Sequence, residues 1–99
     1  MFAEKIRQLR ENKHLLQRQV SAALDMDNAL YSKIERGDRI AKREHVIKLA
    51  ELLDGNEEEL LKYWLADKVY DLVQSEENVN DVLNIVSENI VEYKKNKLL

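Results

Sequence analysis

Arg36, Arg39, Lys42 and Arg43 place four cations within a short stretch that holds one carboxylate, Asp38. That chemistry suits a row of phosphates, where each bound cation releases a condensed counterion. The overall charge of −3 argues against a polyanionic partner. Its distribution argues the other way: residues 1–45 carry +3 and residues 46–99 carry −6. Acidic surface on the second half could lie away from such a partner, because repulsion beyond a Debye length of about 8 Å is largely screened.

Other chemistries have little to work with. The chain has no cysteine, which leaves no disulfide framework or thiolate metal site and fits a reducing cytoplasm. It has no glycine-rich phosphate loop and no paired acid and base, and His14 and His45 stand 31 residues apart as surface histidines. An enzyme, a cofactor, a bound metal and small-molecule sensing are therefore not expected. No apolar run approaches a membrane span, and Met1 to Ile6 already show helical spacing rather than a secretory signal. A soluble, cytoplasmic protein with no membrane partner is the expectation.

The segment 17–37 positions the cationic stretch. Val20, Ala23 and Leu24 give a first short helix one apolar stripe, and Tyr31 and Ile34 give a second helix the same. Asp25-Met26-Asp27 breaks the pattern between them. Asp27 can cap the second helix and suits its positive end, and Gly37 can stop it in a left-handed conformation. Upstream, Phe2, Ile6 and Leu9 predict a helix from residue 2 to about 13. Downstream, Val46, Ile47, Leu49, Ala50, Leu52 and Leu53 predict a fourth helix ended by Gly55, and Asn56 with Glu59 signals the start of a fifth over about 57–74. Val79, Val82, Leu83, Val86 and Ile90 predict a sixth, its face widened by Ile85 and Val91, and 94–97 reads as a solvated, frayed tail.

From Phe2 to about Leu60 the chain resembles the lambda-repressor-like (Cro/Xre) helix-turn-helix regulators. The matching positions are Leu15, Gln17, Val20, Leu24, Met26, Asp27, Ile34, Glu35, Gly37, Leu49, Ala50 and Leu53. Three positions depart from the pattern: Asp25 replaces a common glycine, Leu16 a common threonine cap, and Asp38 a frequent lysine. Asp25 must then tolerate a left-handed backbone, and Asp38 removes a favourable charge near the phosphates.

The resemblance implies an all-α fold with a five-helix DNA-binding domain over 1–60; the apolar pattern beyond it adds a C-terminal helical extension over 61–99, in which a last helix forms a hairpin with the long helix five and serves dimerisation. The resemblance also implies an ion pair between Arg10 and Glu35. Base contacts fall to Asn28, Ala29, Ser32 and Lys33 at the start of the second motif helix, which enters the major groove. Phosphate contacts fall to Gln17, at a helix N-terminus, and to Arg39, Lys42 and Arg43. The apolar surface of the last two helices exceeds what one small domain needs. A homodimer interface through Trp64, Leu65, Val69, Leu72, Val82, Val86 and Ile90 is expected, against the alternative that the last helix folds back on its own domain. The expected function is a repressor or autoregulator acting as a homodimer on a palindromic operator, of the restriction–modification controller or phage-repressor type. The competing reading is an antitoxin or anti-repressor whose C-terminal helices hold a protein partner.

Overall fold

Phe2 and Ile6 are buried on one face of α1 (Phe2–Asn12), with Leu9 packed at the edge of the same core. The computed structural model describes residues 1–97, in which every regular element is a helix and there is no strand. After α1 come α2 (Gln17–Ala23), α3 (Asn28–Glu35), α4 (Arg43–Leu52), α5 (Glu57–Val73) and α6 (Val79–Lys97). The chain divides into two compact units, Met1–Val69 and Tyr70–Leu99.

The first unit holds the core. Val20, Leu24, Tyr31, Ile34, Val46, Leu49 and Leu53 interlock there with Phe2 and Ile6. In α2 the buried stripe is Val20, Ser21 and Leu24, not Val20, Ala23 and Leu24. Ser21 turns inward because its hydroxyl has partners there: Oγ lies 3.1 Å from the Arg18 carbonyl and 3.2 Å from Asn28 Oδ1. A paired hydroxyl can be buried at little cost, which leaves Ala23 free to face solvent.

The unit reaches Val69, past the boundary expected at 60, because Leu60 and Trp64 of α5 enter the core. Trp64 was expected at a dimer interface, yet it is 5% exposed and its indole N–H donates to the buried Ala41 carbonyl at 2.7 Å. A large aromatic with a satisfied N–H is at home in a core. α5 also caps α1, since the Asp67 carboxylate accepts from the Phe2 backbone N–H at 3.0 Å.

Each of the first four helices ends in the same way. The chain takes one residue in the left-handed region, and the next N–H bonds back to a carbonyl five residues earlier: Leu15 to Arg10, Met26 to Ser21, Asp38 to Lys33 and Gly55 to Ala50. The left-handed residues are His14 (φ 58°), Asp25 (φ 55°), Gly37 (φ 80°) and Asp54 (φ 54°). The residue that turns the chain at the end of α4 is thus Asp54, not Gly55. Gly55 is needed for space, because a Cβ there would stand 2.8 Å from Leu9 Cδ1 and 3.2 Å from Leu60 Cδ1. Three of these turns carry the steric penalty of a side chain. Asp25→Gly relieves it, and the expected result is a gain of about 1 kcal/mol, the low end of the left-handed penalty, read as a shift in the urea midpoint at unchanged slope.

In the second unit, α6 buries no residue. Its helix continues through Lys97, so Lys94, Lys95 and Lys97 form a last turn instead of a frayed tail. Cations there suit the negative end of the helix dipole.

Candidate nucleic-acid interface

The motif is built around a buried ion pair. Arg10 of α1 reaches Glu35 of α3, with Nε 3.1 and 3.0 Å from the two carboxylate oxygens and a terminal nitrogen 2.7 Å from Oε1. Its other terminal nitrogen donates to the Leu15 carbonyl at 2.8 Å, which ties the turn before α2 into the same cluster. The Glu35 side chain is 1% exposed and that of Arg10 13%. Burial pushes the Glu35 carboxyl up, but its polar neighbours, the Arg10 guanidinium foremost, outweigh it and hold the carboxyl below the ordinary range. Burial first, then the nearby Glu35 charge, drive the Tyr31 phenol well above its usual value. Its hydroxyl is enclosed and makes no hydrogen bond among the described residues.

This cluster fixes the angle between α1, α2 and α3 while the far side of α3 faces solvent. Asn28, Ala29 and Lys33 are exposed there and Ser32 is half-buried. Asp27 caps α3 by accepting from the Ala29 N–H at 2.9 Å. Asn28 Oδ1 accepts from the Ser21 hydroxyl, and its amide nitrogen has no hydrogen-bond acceptor among the described residues. Lys33 forms no ion pair among the described residues.

The cationic stretch is less uniform than its sequence suggests. Arg39 and Lys42 are exposed and unpaired among the described residues, whereas the Arg36 Nε donates to Asp38 at 3.1 Å. The Arg43 guanidinium sits over the Trp64 ring, 5.0 Å from its centroid, and the Lys68 ammonium lies 3.9 Å from the same centroid. Gln17 is half-buried and its amide nitrogen already donates to Glu35 Oε1 at 3.3 Å. Leu16 leaves α2 without a side-chain cap at that end, although Gln19 Oε1 accepts from the Leu16 N–H at 2.7 Å.

Residues 6–60 match the helix-turn-helix family, in its Cro/C1 type. The chain belongs to this family. It is accordingly a DNA-binding transcription regulator, built on a fold that does not normally serve catalysis. Comparison with curated proteins and with solved structures gives no match. Among the described residues no helix is long and apolar enough to cross a membrane, and no group of His, Cys, Asp and Glu could hold a metal ion.

Two residues that organise this helix-turn-helix carry no sequence signal strong enough to nominate them. Ser21 reads as a neutral helix residue, and only its contact with Asn28 reveals it as the joint between α2 and α3. Asp67 caps a helix that begins 65 residues earlier.

Proposed function

We propose that the protein is a sequence-specific transcriptional repressor or autoregulator that binds a palindromic operator as a homodimer. The observation that carries the reading is the exposed face of α3, held by the buried Arg10–Glu35 pair and flanked by the free cations Arg39 and Lys42. Laid in a major groove, that face brings Lys33 within reach of guanine O6 and N7 and sets the Ala29 methyl against thymine. Asn28, with its oxygen held by Ser21, acts as a donor to a base or a phosphate, and Ser32 contributes a permissive hydroxyl. Arg39 and Lys42 take phosphates directly. Gln17 adds its free amide hydrogen and the α2 backbone, and Arg43 joins when it leaves the Trp64 ring. These phosphate contacts set affinity, and the α3 contacts set sequence.

One such helix reads few base pairs, so a dimer that sets two of them about 34 Å apart along the duplex supplies the specificity of an operator. Occlusion of a promoter then follows. The test is selection from a random duplex pool at fixed salt. A palindrome with half-sites about one helical turn apart is the expected product, and Lys33→Ala flattens the preference at one base position, at a cost of about 1–3 kcal/mol there. Arg39→Ala and Lys42→Ala weaken all sequences alike and each lower the salt slope by about 0.9. Binding that ignores sequence would overturn the operator reading.

A further inference from the structure

Val79, Leu83, Val86, Ile90 and Tyr93 follow one another along α6 in alternating steps of four and three, the period of a coiled-coil seam. Val79 is half-buried and the other four are exposed, Leu83 by 38%, Val86 and Ile90 by 49% and Tyr93 by 65%. The helix has the outline of half an interface. Its ends differ in charge. Asp81 stands in its first turn and Glu76 and Glu77 in the turn just before it, with no cation among the three, and Lys94, Lys95 and Lys97 stand at the finish, where no carboxylate does.

We propose that α6 pairs with α6 of a second copy of this chain in antiparallel orientation, a geometry that rests on the homodimer reading above and specifies its interface. Charge selects the orientation. Nineteen residues span about 28 Å, several Debye lengths, so each end interacts only with what lies beside it. Parallel pairing sets three carboxylates beside three carboxylates and three ammoniums beside three ammoniums. Antiparallel pairing sets each acidic end beside a basic one and opposes the two helix dipoles. It also supplies a counter-charge for Lys97, which continues the seam by a further step of four. The a-to-d layering of such a pair puts Leu83 opposite Tyr93 of the second copy and Val86 opposite Ile90 of the second copy.

The absence of native cysteine makes the orientation directly readable. A disulfide needs Cα atoms within about 7 Å. In the antiparallel pair the two Leu83 positions lie about 15 Å apart along the axis, as do the two Tyr93 positions. Under mild oxidation of the full chain, the Leu83→Cys variant alone and the Tyr93→Cys variant alone stay uncrosslinked, whereas their mixture gives a covalent dimer. A second reading uses light scattering across a dilution series. The triple variant Lys94→Glu, Lys95→Glu, Lys97→Glu turns end-to-end attraction into repulsion and weakens dimerisation about tenfold or more, whereas a parallel pair would be unaffected. None of the changed residues lies in the buried core, and circular dichroism of each variant checks that α6 keeps its helix. A dimer whose single-cysteine variants each crosslink to themselves overturns the antiparallel pairing and leaves the homodimer standing. A wild-type chain that stays monomeric at about 100 μM overturns both, and points to a different protein as the occupant of the α6 face.

Discussion

Glu35→Ala costs the protein about 3–5 kcal/mol of folding stability, enough to take a domain of this size to the edge of unfolding at room temperature. The loss comes less from the attraction that disappears than from what is left behind. Arg10, with its side chain only 13% exposed, keeps a full charge and loses the carboxylate that engages two of its nitrogens. The reverse change, Arg10→Ala, strands the carboxylate and the Leu15 carbonyl together and costs a similar amount. Replacing both, as Arg10→Met with Glu35→Leu, is expected to cost less than either single change, because no buried charge is left unpaired. The pH dependence follows from the depressed carboxyl of Glu35. Its stabilisation is fully present above the unfolded glutamate value of about 4.3 and drains away as pH falls through the lower folded value. Urea titrations of wild type and Glu35→Gln should therefore lie apart at pH 7 and converge under acid conditions. A gap that stays constant down to that range would mean that the pair does not hold its charge in the folded state.

Trp64→Ala costs about 3–5 kcal/mol, as expected for a large aromatic removed from a packed core. Trp64→Phe separates the two contributions. It keeps most of the buried area but leaves the Ala41 carbonyl without its donor, for a loss of about 1–3 kcal/mol. The substitutions also bear on what α5 does. If Trp64 served an interface between chains, the loss would vanish at concentrations where the chain is monomeric. With the ring inside Met1–Val69, the loss is independent of concentration. Chemical denaturation across a hundredfold range of protein concentration distinguishes the two.

The residues that sequence placed well are those whose burial depends on local periodicity. Val20, Tyr31, Ile34, Leu49 and Leu53 fall on apolar stripes within their own helices, and all are buried. Trp64 was misplaced for the opposite reason. Leu60, Trp64, Leu65, Val69 and Leu72 form a single apolar series along α5, and spacing alone cannot say where the series stops serving its own core. The structure draws that line within α5: Leu60 and Trp64 are inside, while Leu65 and Leu72 are 49% and 79% exposed. The end of α4 slipped by one residue because glycine is the usual left-handed residue, yet aspartate tolerates that conformation well enough for Asp54 to take it and leave Gly55 to make room. Ser21 and Asp67 owe their roles to side-chain partners brought together by the fold, and neither has an apolar pattern to announce it.

Trp64 is the only tryptophan in the chain, and this gives the domain an optical reporter of its own. The indole emits from a buried site with its N–H held by Ala41 and two cations stacked near its ring, Arg43 at 5.0 Å and Lys68 at 3.9 Å. Emission from an indole depends on the charges beside it. Any ligand that draws Arg43 toward a phosphate removes one of those charges and leaves the other, so engagement of the loop before α4 would be written directly into the fluorescence of a residue that never meets the ligand.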